Sequence, residues 1–346
     1  MTQTRDLTSI TPGNLQVGMY VVLPSGWLDH PFLRNQFQIK DPDQLKKLQD
    51  CGFENVRVDL KRSKLPKRPA EDAPTESANE AAVLDPKLCD DLPQWNPDNL
   101  VPEQLLESLH DKKIPPEQRS KAVYSHSREL MNRLLESPTA ENLKASKQAI
   151  SSVTDLILSD DATAINMLRI TDHDFYTYTH SVNVGVTSIM VAKALFGQSD
   201  RHDMHELGAG FFLHDLGKVN IRQEVINKPG RLDDTEMRHM RTHPYKGFKL
   251  LEKSGQLSEE SRIIILQHHE RADGSGYPKQ LHDREIHIYG KICCIADVYD
   301  ALTAERSYKK ALQPFEALKL MKAQMADHFN KELFERFVML MGGIPR

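Results

Sequence analysis

From Pro102 almost to the C-terminus, apolar residues recur at spacings of three and four, and no pair of alternating strands interrupts them. This period places the apolar side chains on one face of an α-helix, which must then pack against other helices. The clearest segments are 122–135, 143–158, 180–195, 203–213, 234–242, 259–269, 291–302 and 314–327. The pattern predicts one helical domain over residues 102–346.

The residues before Pro102 follow two other patterns. Residues 19–23 and 55–60 are typical of short strands, and residues 42–51 of a short helix closed by Gly52. We therefore expect a small α+β domain over residues 1–64. Residues 65–101 are rich in Pro, Ala, Glu, Asp and Ser, which favours a flexible linker. The alternative is a loop docked on the next domain through Trp95 and its apolar neighbours.

Length and charge exclude several classes of protein. A chain of 346 residues is long enough for two domains, and its net charge of −4 gives no general attraction to nucleic acid or anionic membranes. The sequence has no stretch of the ~18 apolar residues that a membrane helix needs, and its first ten residues are polar. The four cysteines form no CxxC pair. We expect a reduced, cytoplasmic protein that binds neither membrane nor nucleic acid.

Two acidic residues occur where apolar residues would be expected. His214-Asp215 ends the apolar run 208–213, and Asp297 lies within the apolar helical segment 291–300. A buried carboxylate is costly unless it is paired or bound to a metal. An imidazole nitrogen beside a carboxylate that can bridge two ions suits a transition metal.

Further histidines lie near predicted helix ends. His243 precedes Pro244, which biases it away from helical geometry and marks a helix boundary. His180 opens an otherwise apolar helix, and His268 and His269 end another. Because adjacent helical residues diverge by about 100°, the last two can serve one metal only near a helix end or from different sides.

Together these residues resemble a known family. The order of His180, His214-Asp215 and Asp297 resembles the metal signature of the HD phosphohydrolase superfamily. The segments HDLGK (214–218), NKPG (227–230), HHERADGSGYP (268–278) and ALTAERSYK (301–309) resemble its HD-GYP branch, which contains cyclic di-GMP phosphodiesterases. The resemblance implies a mainly α fold, with an HD-type helical bundle whose catalytic core spans about residues 170–325. The small α+β domain before it resembles an uncharacterised accessory domain.

The resemblance also implies a binuclear site with two transition-metal ions, iron or manganese. A hydroxide between the ions would attack phosphorus in cyclic di-GMP. The implied ligands are His180, His214, Asp215 and Asp297 for one ion, and His243, His268 and His269 for the other, with Asp215 bridging. Some family members carry a Glu that helps to hold a third metal where this chain has Tyr176. We therefore expect two metals and the linear product pGpG, with further hydrolysis to GMP as the alternative.

Four residues resemble substrate contacts of the family. Lys218 is expected at the scissile phosphate and acts in catalysis together with Asp215. Arg306 and Lys309 are expected at the second phosphate. Tyr277 is expected at a guanine, or else its Gly-Tyr-Pro loop docks a partner. The candidate partners are cyclic di-GMP, a second copy of the chain and a diguanylate cyclase bound at that loop.

Two other functions stay open at this stage. The same chemistry could act on another cyclic dinucleotide or on pGpG, because the residues that read guanine cannot be recognised in one sequence. The chain could instead be a cyclic di-GMP receptor with little turnover. All seven implied ligands are present, which argues against the receptor because a receptor need not keep them.

Overall fold

The structure is a computed structural model, and it divides the chain into two compact units, Met1–Asp91 and Leu92–Arg346. The residues that it describes are 7–23, 36–50, 56–59, 62–63, 95–111, 113–170, 177–197, 199–228, 230–304 and 311–343.

The first unit contains a four-stranded antiparallel sheet in the order β1-β4-β2-β3. Its elements are β1 (Leu7–Ile10), a 3-10 turn (Pro12–Asn14), β2 (Tyr20–Val22), β3 (Gln36–Gln38), α1 (Pro42–Asp50) and β4 (Val56–Asp59). Val56 and Val58 are buried while Arg57 between them is exposed, as the alternation of a strand requires. Val58 pairs with Val21 of β2. The predicted α+β character of this part is confirmed.

Apolar side chains on one side of that sheet form a small core. Because a domain of this size buries little surface, each of these residues contributes a large share of its stability. The buried members are Leu15, Met19, Val21, Leu23, Ile39, Leu48, Val56 and Val58.

The second unit is helical throughout the part that the structure describes, so the predicted mainly α fold is confirmed. Its helices are α2 (Pro97–Leu100), α3 (Glu103–His110), α4 (Pro116–Glu136), α5 (Ala140–Ser159), α6 (Asp161–Arg169), α7 (Thr177–Phe196), α8 (Met204–Leu213), α9 (Gln223–Ile226), α10 (Asp234–Met240), α11 (His243–Lys253), α12 (Glu259–Gln267), α13 (Ile288–Thr303), α14 (Pro314–Gln324) and α15 (Lys331–Gly342). Short 3-10 turns cover Leu216–Asn220, Asp283–Glu285 and Ala326–His328.

Helix α7 is the centre of this bundle. It is apolar on nearly every face, and a helix of that kind is stable only when other elements surround it. It packs against α4, α8 and α13, and α8 in turn packs against α5 and α12. This arrangement brings the ends of α8 and α12 and the buried faces of α7 and α13 to one region of the bundle.

Gly217 allows the turn after α8 to lie directly against α11. A Cβ atom at this position would lie 1.9 Å from the carbonyl oxygen of His243. A side chain here would therefore push α11 away from His214 and Asp215. The absence of a side chain is what lets these two segments meet.

Part of the predicted linker belongs to the helical unit. The Trp95 indole N–H donates to Glu136 at 2.8 Å, and the Arg133 guanidinium lies 4.6 Å from the Trp95 ring centre. Leu100 of α2 is fully buried. These contacts match the docked alternative for residues 95–101, whereas residues 64–94 lie outside the described part. The domain boundaries stay a prediction.

Among the described residues, no helix is both long enough and apolar enough to span a lipid bilayer.

Candidate metal centre

Five elements bring the seven predicted ligands together. His180 lies in the first turn of α7, and Asp297 lies within α13. His214 caps the C-terminus of α8 and Asp215 follows it. His243 is the first residue of α11, while His268 caps the C-terminus of α12 and His269 follows. Four of the seven thus sit at helix C-termini, where the chain leaves the helical path and consecutive side chains can point to one centre.

The conformation predicted for His243 is wrong. His243 was expected to avoid helical geometry because Pro244 follows it, but His243 begins α11. Proline is tolerated in the first turn, where its missing N–H group would have no helical partner. The predicted helix boundary is confirmed, and only the conformation of His243 differs.

The Asp215 carboxylate lies between two pairs of histidines. Its Oδ2 atom lies 3.4 Å from His180 Nε2 and 3.6 Å from His214 Nε2. Its Oδ1 atom lies 3.2 Å from His243 Nε2 and 3.7 Å from His268 Nε2. The carboxylate is 1% exposed. Each oxygen atom therefore faces its own pair of imidazole nitrogens.

Asp297 also contacts histidines of both sets. Its Oδ1 atom lies 3.1 Å from His180 Nε2, and its Oδ2 atom lies 3.4 Å from His269 Nδ1. Potential ligand atoms lie within 4.8 Å of one another in two groups that share Asp215. The groups are His180, His214 and Asp215, and Asp215, His243, His268 and His269.

Hydrogen bonds on the far side of the rings determine which nitrogen faces the centre. The Nδ1 atoms of His214, His243 and His268 lie 2.8, 2.8 and 2.9 Å from the carbonyl oxygens of Phe211, Met240 and Ile265. Because a carbonyl oxygen only accepts, each Nδ1 must carry the hydrogen. The Nε2 atom of each neutral ring then presents a lone pair to the centre, which is the form that binds metals.

These lone pairs fit a cation better than they fit one another. His243 Nε2 lies 3.2 Å from His268 Nε2, and both rings carry their hydrogen on Nδ1. Two lone pairs at that distance cannot form a hydrogen bond. In addition, Asp215 Oδ1 is buried and accepts no well-directed hydrogen bond from any residue that the structure describes. A positive ion in contact with this oxygen and both nitrogens would satisfy all three atoms.

The protonation of these groups also favours cation binding. Burial lowers the pKa of His214 to about 3 and the pKa of His269 well below its ordinary value. Burial also disfavours charge on His180, but the hydrogen bonds that its ring donates to the Asp297 and Asp300 carboxylates outweigh it and raise the pKa of His180 to about 10. The rings of His214 and His269 are therefore neutral, whereas the carboxylates beside His180 favour a positive charge there. Neutral nitrogen ligands and a preference for positive charge both suit the binding of metal cations.

Nearly the whole chain is similar in sequence to known proteins. A family model described as "HD domain" matches residues 163–333, and one described as "Domain of unknown function (DUF3391)" matches residues 7–149. A cyclic di-GMP phosphodiesterase of Pseudomonas aeruginosa is 30% identical over 98% of this chain and 78% of its own length. The chain belongs to the HD-GYP family of phosphodiesterases.

Two further proteins resemble this HD-GYP chain, one in the sequence of part of the chain and one in fold. A 3'3'-cGAMP-specific phosphodiesterase of Vibrio cholerae is 42% identical over 38% of this chain and 27% of its own length. An HDGYP protein from Bdellovibrio bacteriovorus has a similar fold, with a TM-score of 0.60 and 16% identity, over 96% of this chain and 98% of its own.

Lys218, predicted at the scissile phosphate, lies inside the centre of this HD-GYP protein. It belongs to the 3-10 turn after Asp215, and its ammonium group donates to Asp215 Oδ2. Burial would raise the pKa of the Asp215 carboxyl, but the charge of Lys218 opposes it, and that pKa lies well below its usual range. Lys218 is therefore a cation held beside the ligand that both histidine pairs share.

The Gly-Tyr-Pro loop packs directly against the histidines. The Tyr277 ring centre lies 4.6 Å from that of His269, and the Tyr277 backbone N–H donates to the His269 carbonyl at 3.1 Å. A Cβ atom on Gly276 would lie 2.4 Å from the Arg271 nitrogen, so no side chain fits there. The peptide bond before Pro278 is cis. Asp273 accepts hydrogen bonds from the backbone N–H and hydroxyl of Ser275, and these bonds order the loop.

Two predicted substrate contacts fall outside the described residues. Arg306 and Lys309 lie in the segment 305–310, and Tyr176 lies in the segment 171–176. The structure therefore describes Lys218 and Tyr277 among the four predicted contacts.

Three residues with clear positions in the centre were missed by sequence reasoning. Asp300 Oδ2 lies 2.6 Å from His180 Nδ1, and Glu270 is 1% exposed and accepts from the backbone N–H groups of Lys279 and Leu281. The Arg241 guanidinium lies 5.4 Å from the Tyr277 ring centre. The signal for Asp300 was present, since it is the second carboxylate within an apolar helix.

Proposed function

We propose that this chain is a cyclic di-GMP phosphodiesterase that uses two transition-metal ions, iron or manganese, and releases pGpG. The observation that carries the proposal is the Asp215 carboxylate with one oxygen atom toward each of two histidine pairs. A shared carboxylate between two sets of nitrogen ligands is the arrangement expected for a pair of ions. The cyclic di-GMP specificity rests on the P. aeruginosa relative, which matches nearly the whole chain.

The residues of the centre divide into two ligand sets. His180, His214 and Asp297 would hold one ion, His243, His268 and His269 the other, and Asp215 would bridge them. Bound divalent ions supply an acidified water molecule and neutralise negative charge on phosphoryl oxygens. The protein orients the nitrogens beforehand through the carbonyl oxygens behind His214, His243 and His268.

The cations near the centre suit an anionic substrate. The Lys218 ammonium can move from Asp215 toward a phosphate oxygen that gains charge in the transition state. Arg241 is exposed and, among the described residues, has no carboxylate within ion-pair distance, while its guanidinium lies over Tyr277. A nucleobase that stacks on Tyr277 would meet this cation, and a phosphate would pair with it.

The product pGpG follows from the expected number of metals. Some family members carry a Glu where this chain has Tyr176, and that Glu helps to hold a third ion. With two ions we expect the first phosphodiester bond to be cleaved and the linear dinucleotide to leave. The binding of a second chain or of a diguanylate cyclase, and the cytoplasmic location, stay predictions from the sequence.

A second substrate is favoured by one observation. The V. cholerae relative that is specific for 3'3'-cGAMP shares 42% identity with 38% of this chain. The same metal centre would cleave either dinucleotide, because the phosphodiester groups are alike and only one base differs.

One preparation can test these points together. The chain is purified anaerobically, its metal content is measured, and it is incubated with cyclic di-GMP, 3'3'-cGAMP or pGpG while the products are separated by chromatography. We expect two iron or manganese ions per chain and accumulation of pGpG from cyclic di-GMP. Faster cleavage of 3'3'-cGAMP would favour the second substrate. Binding of cyclic di-GMP without turnover by fully loaded protein would make the chain a receptor.

A further inference from the structure

Three hydrogen bonds lead from the metal ligand His180 away from the centre. His180 Nδ1 lies 2.6 Å from Asp300 Oδ2, and the Asn183 side-chain amide donates to Asp300 Oδ1 at 2.7 Å. The Tyr124 hydroxyl in turn donates to Asn183 Oδ1 at 2.5 Å. Tyr124 belongs to α4 and Asp300 to α13, and both of these helices pack against α7, which carries His180 and Asn183. His180 is thus connected to a residue 56 positions earlier in the chain, the difference between 180 and 124.

The donors and acceptors in this series have one consistent direction. An ionised Asp300 can only accept, so both the Asn183 amide and His180 Nδ1 must donate to it. Asn183 must then turn its NH₂ group to Asp300 and its oxygen to Tyr124. A flipped amide would place two acceptors face to face at Asp300. The Tyr124 hydroxyl favours the correct orientation, because it can donate to the amide oxygen.

The direction of these hydrogen bonds determines which nitrogen atom of His180 presents a lone pair to the centre. With Nδ1–H directed at Asp300, a neutral His180 has its lone pair on Nε2. That atom lies 3.1 Å from Asp297 Oδ1 and 3.4 Å from Asp215 Oδ2. Histidine ligands commonly gain both orientation and basicity from a carboxylate behind the ring.

Three of the four residues in this series are buried. Tyr124, His180 and Asp300 are 3%, 4% and 7% exposed, and Asn183 is half-buried. A missing partner would therefore leave a buried polar atom of Tyr124, His180 or Asp300 unsatisfied. Tyr124 comes from α4, which lies before residues 163–333, the part that matches the HD domain.

We propose that Tyr124 and Asn183 are positioning residues for the metal ligand His180. They hold Asp300, which holds the ring, so α4 forms a working part of the metal centre although it precedes the HD match. The proposal rests on the metal site put forward under Proposed function. It concerns how tightly the ion beside His180 is held, and it predicts no contact between these residues and the substrate.

Tyr124→Phe tests the outermost hydrogen bond, because it removes one oxygen atom and keeps the packed ring. The measurement is Mn²⁺ binding by the full-length apoprotein in competition with a coloured chelator. We expect one of two Mn²⁺ equivalents to bind about fivefold more weakly, the effect of one typical hydrogen bond, with the other equivalent unchanged. For Asp300→Asn we expect a loss of roughly 10- to 100-fold at the same equivalent.

A matched control separates positioning from stability. Tyr289→Phe also removes a buried hydroxyl, but the partner of that hydroxyl is His202. The two tyrosine variants should lower the melting temperature by similar amounts, and only Tyr124→Phe should weaken Mn²⁺ binding. In the double variant Tyr124→Phe, Asp300→Asn, the affinity should equal that of Asp300→Asn alone, because the series is already interrupted.

The outcomes distinguish this proposal from the one on which it rests. If the unaltered protein binds no Mn²⁺, the proposed metal site fails and this inference fails with it. If the unaltered protein binds two equivalents and Tyr124→Phe binds both as tightly, the metal site stands and the role of Tyr124 is overturned. A uniform loss in both tyrosine variants would likewise reduce Tyr124 to a structural residue.

Discussion

At the scale of single residues, the centre depends on which nitrogen of each ring is free. Backbone carbonyl oxygens accept hydrogen bonds from the Nδ1–H groups of His214, His243 and His268, and the Asp300 carboxylate accepts one from His180. These partners are as decisive as the ligands, because the other tautomer of each ring would present an Nε2–H group to the cation. The residue types at the centre were predictable, whereas the backbone carbonyl partners of His214, His243 and His268 were not.

Lys218 gives a prediction at this scale. Removing its ammonium group in Lys218→Ala should lower kcat by roughly 10²-fold, as expected when one charge that stabilises the transition state is lost. Mn²⁺ should still bind, because Lys218 donates to a ligand and is not itself one. The measurements are steady-state turnover of cyclic di-GMP and metal content.

Lys246→Ala is the matched control for Lys218. Lys246 also lies near this end of the bundle, but its ammonium group donates to the Asn220 carbonyl at 2.8 Å. We expect turnover within about twofold of the unaltered protein, in line with a surface substitution. Equal rates for the two lysine variants would remove Lys218 from the mechanism.

At the scale of elements, the Gly-Tyr-Pro loop is held by a buried carboxylate. Glu270 follows His269, a proposed metal ligand, and its two oxygens accept from the N–H groups of Lys279 and Leu281 at 2.6 and 2.9 Å. This links the loop after Pro278 to the end of α12. Tyr277 is consequently held against His269 by backbone contacts on both sides of the loop.

Glu270→Gln should loosen this loop. An amide has only one oxygen, so its NH₂ group would face a backbone N–H and leave that donor unsatisfied. We expect a loss of about 1–3 kcal/mol in the free energy of unfolding and a higher KM for the dinucleotide, with metal content unchanged. Urea unfolding and steady-state kinetics provide the two measurements.

Glu285→Gln is the control for Glu270. Glu285 is exposed and accepts from the His282 N–H at 2.9 Å. Its replacement should change the unfolding free energy by no more than about 0.5 kcal/mol. If both glutamate variants behave alike, burial of Glu270 has no special role in the loop.

At the scale of the whole molecule, the buried histidines make stability depend on pH. Burial lowers the pKa of His214 to about 3 and also lowers the pKa values of His243 and His269. In the unfolded chain these rings titrate near the ordinary value of about 6.5. Below that pH the unfolded chain therefore binds more protons than the folded one, and stability falls. The pKa of His180 is shifted in the opposite direction, so the stability that this residue contributes is lost as the pH rises toward about 10.

We therefore expect the metal-free protein to be most stable near neutral pH. Between pH 7 and pH 5 the shift of His214 alone corresponds to about 2 kcal/mol of lost stability. Urea unfolding in the presence of a chelator at pH 5, 7 and 9 measures this. The His214→Gln variant should show a smaller difference between pH 7 and pH 5, and His205→Gln, at an exposed site, should not. A free energy of unfolding that does not change between pH 7 and pH 5 would contradict the lowered pKa of His214.

The sequence by itself determined the helical class of the second unit and the identity of the clustered residues. Both are local properties: the helical period repeats every few residues, and motifs such as HDLGK are read within one segment. It also indicated that His268 and His269 can serve one metal either near a helix end or from different sides, and α12 ends at Gln267, directly before them.

Only the tertiary structure decided how these residues face one another. The partners of His180, Asn183 and Tyr124 are 120, 117 and 59 residues away along the chain, and no local pattern encodes such pairs. The orientation of each Asp215 oxygen depends likewise on where α8 and α12 end and where α7 and α11 begin. These pairs form because α7 is buried on all sides and therefore forces α4, α8 and α13 around it.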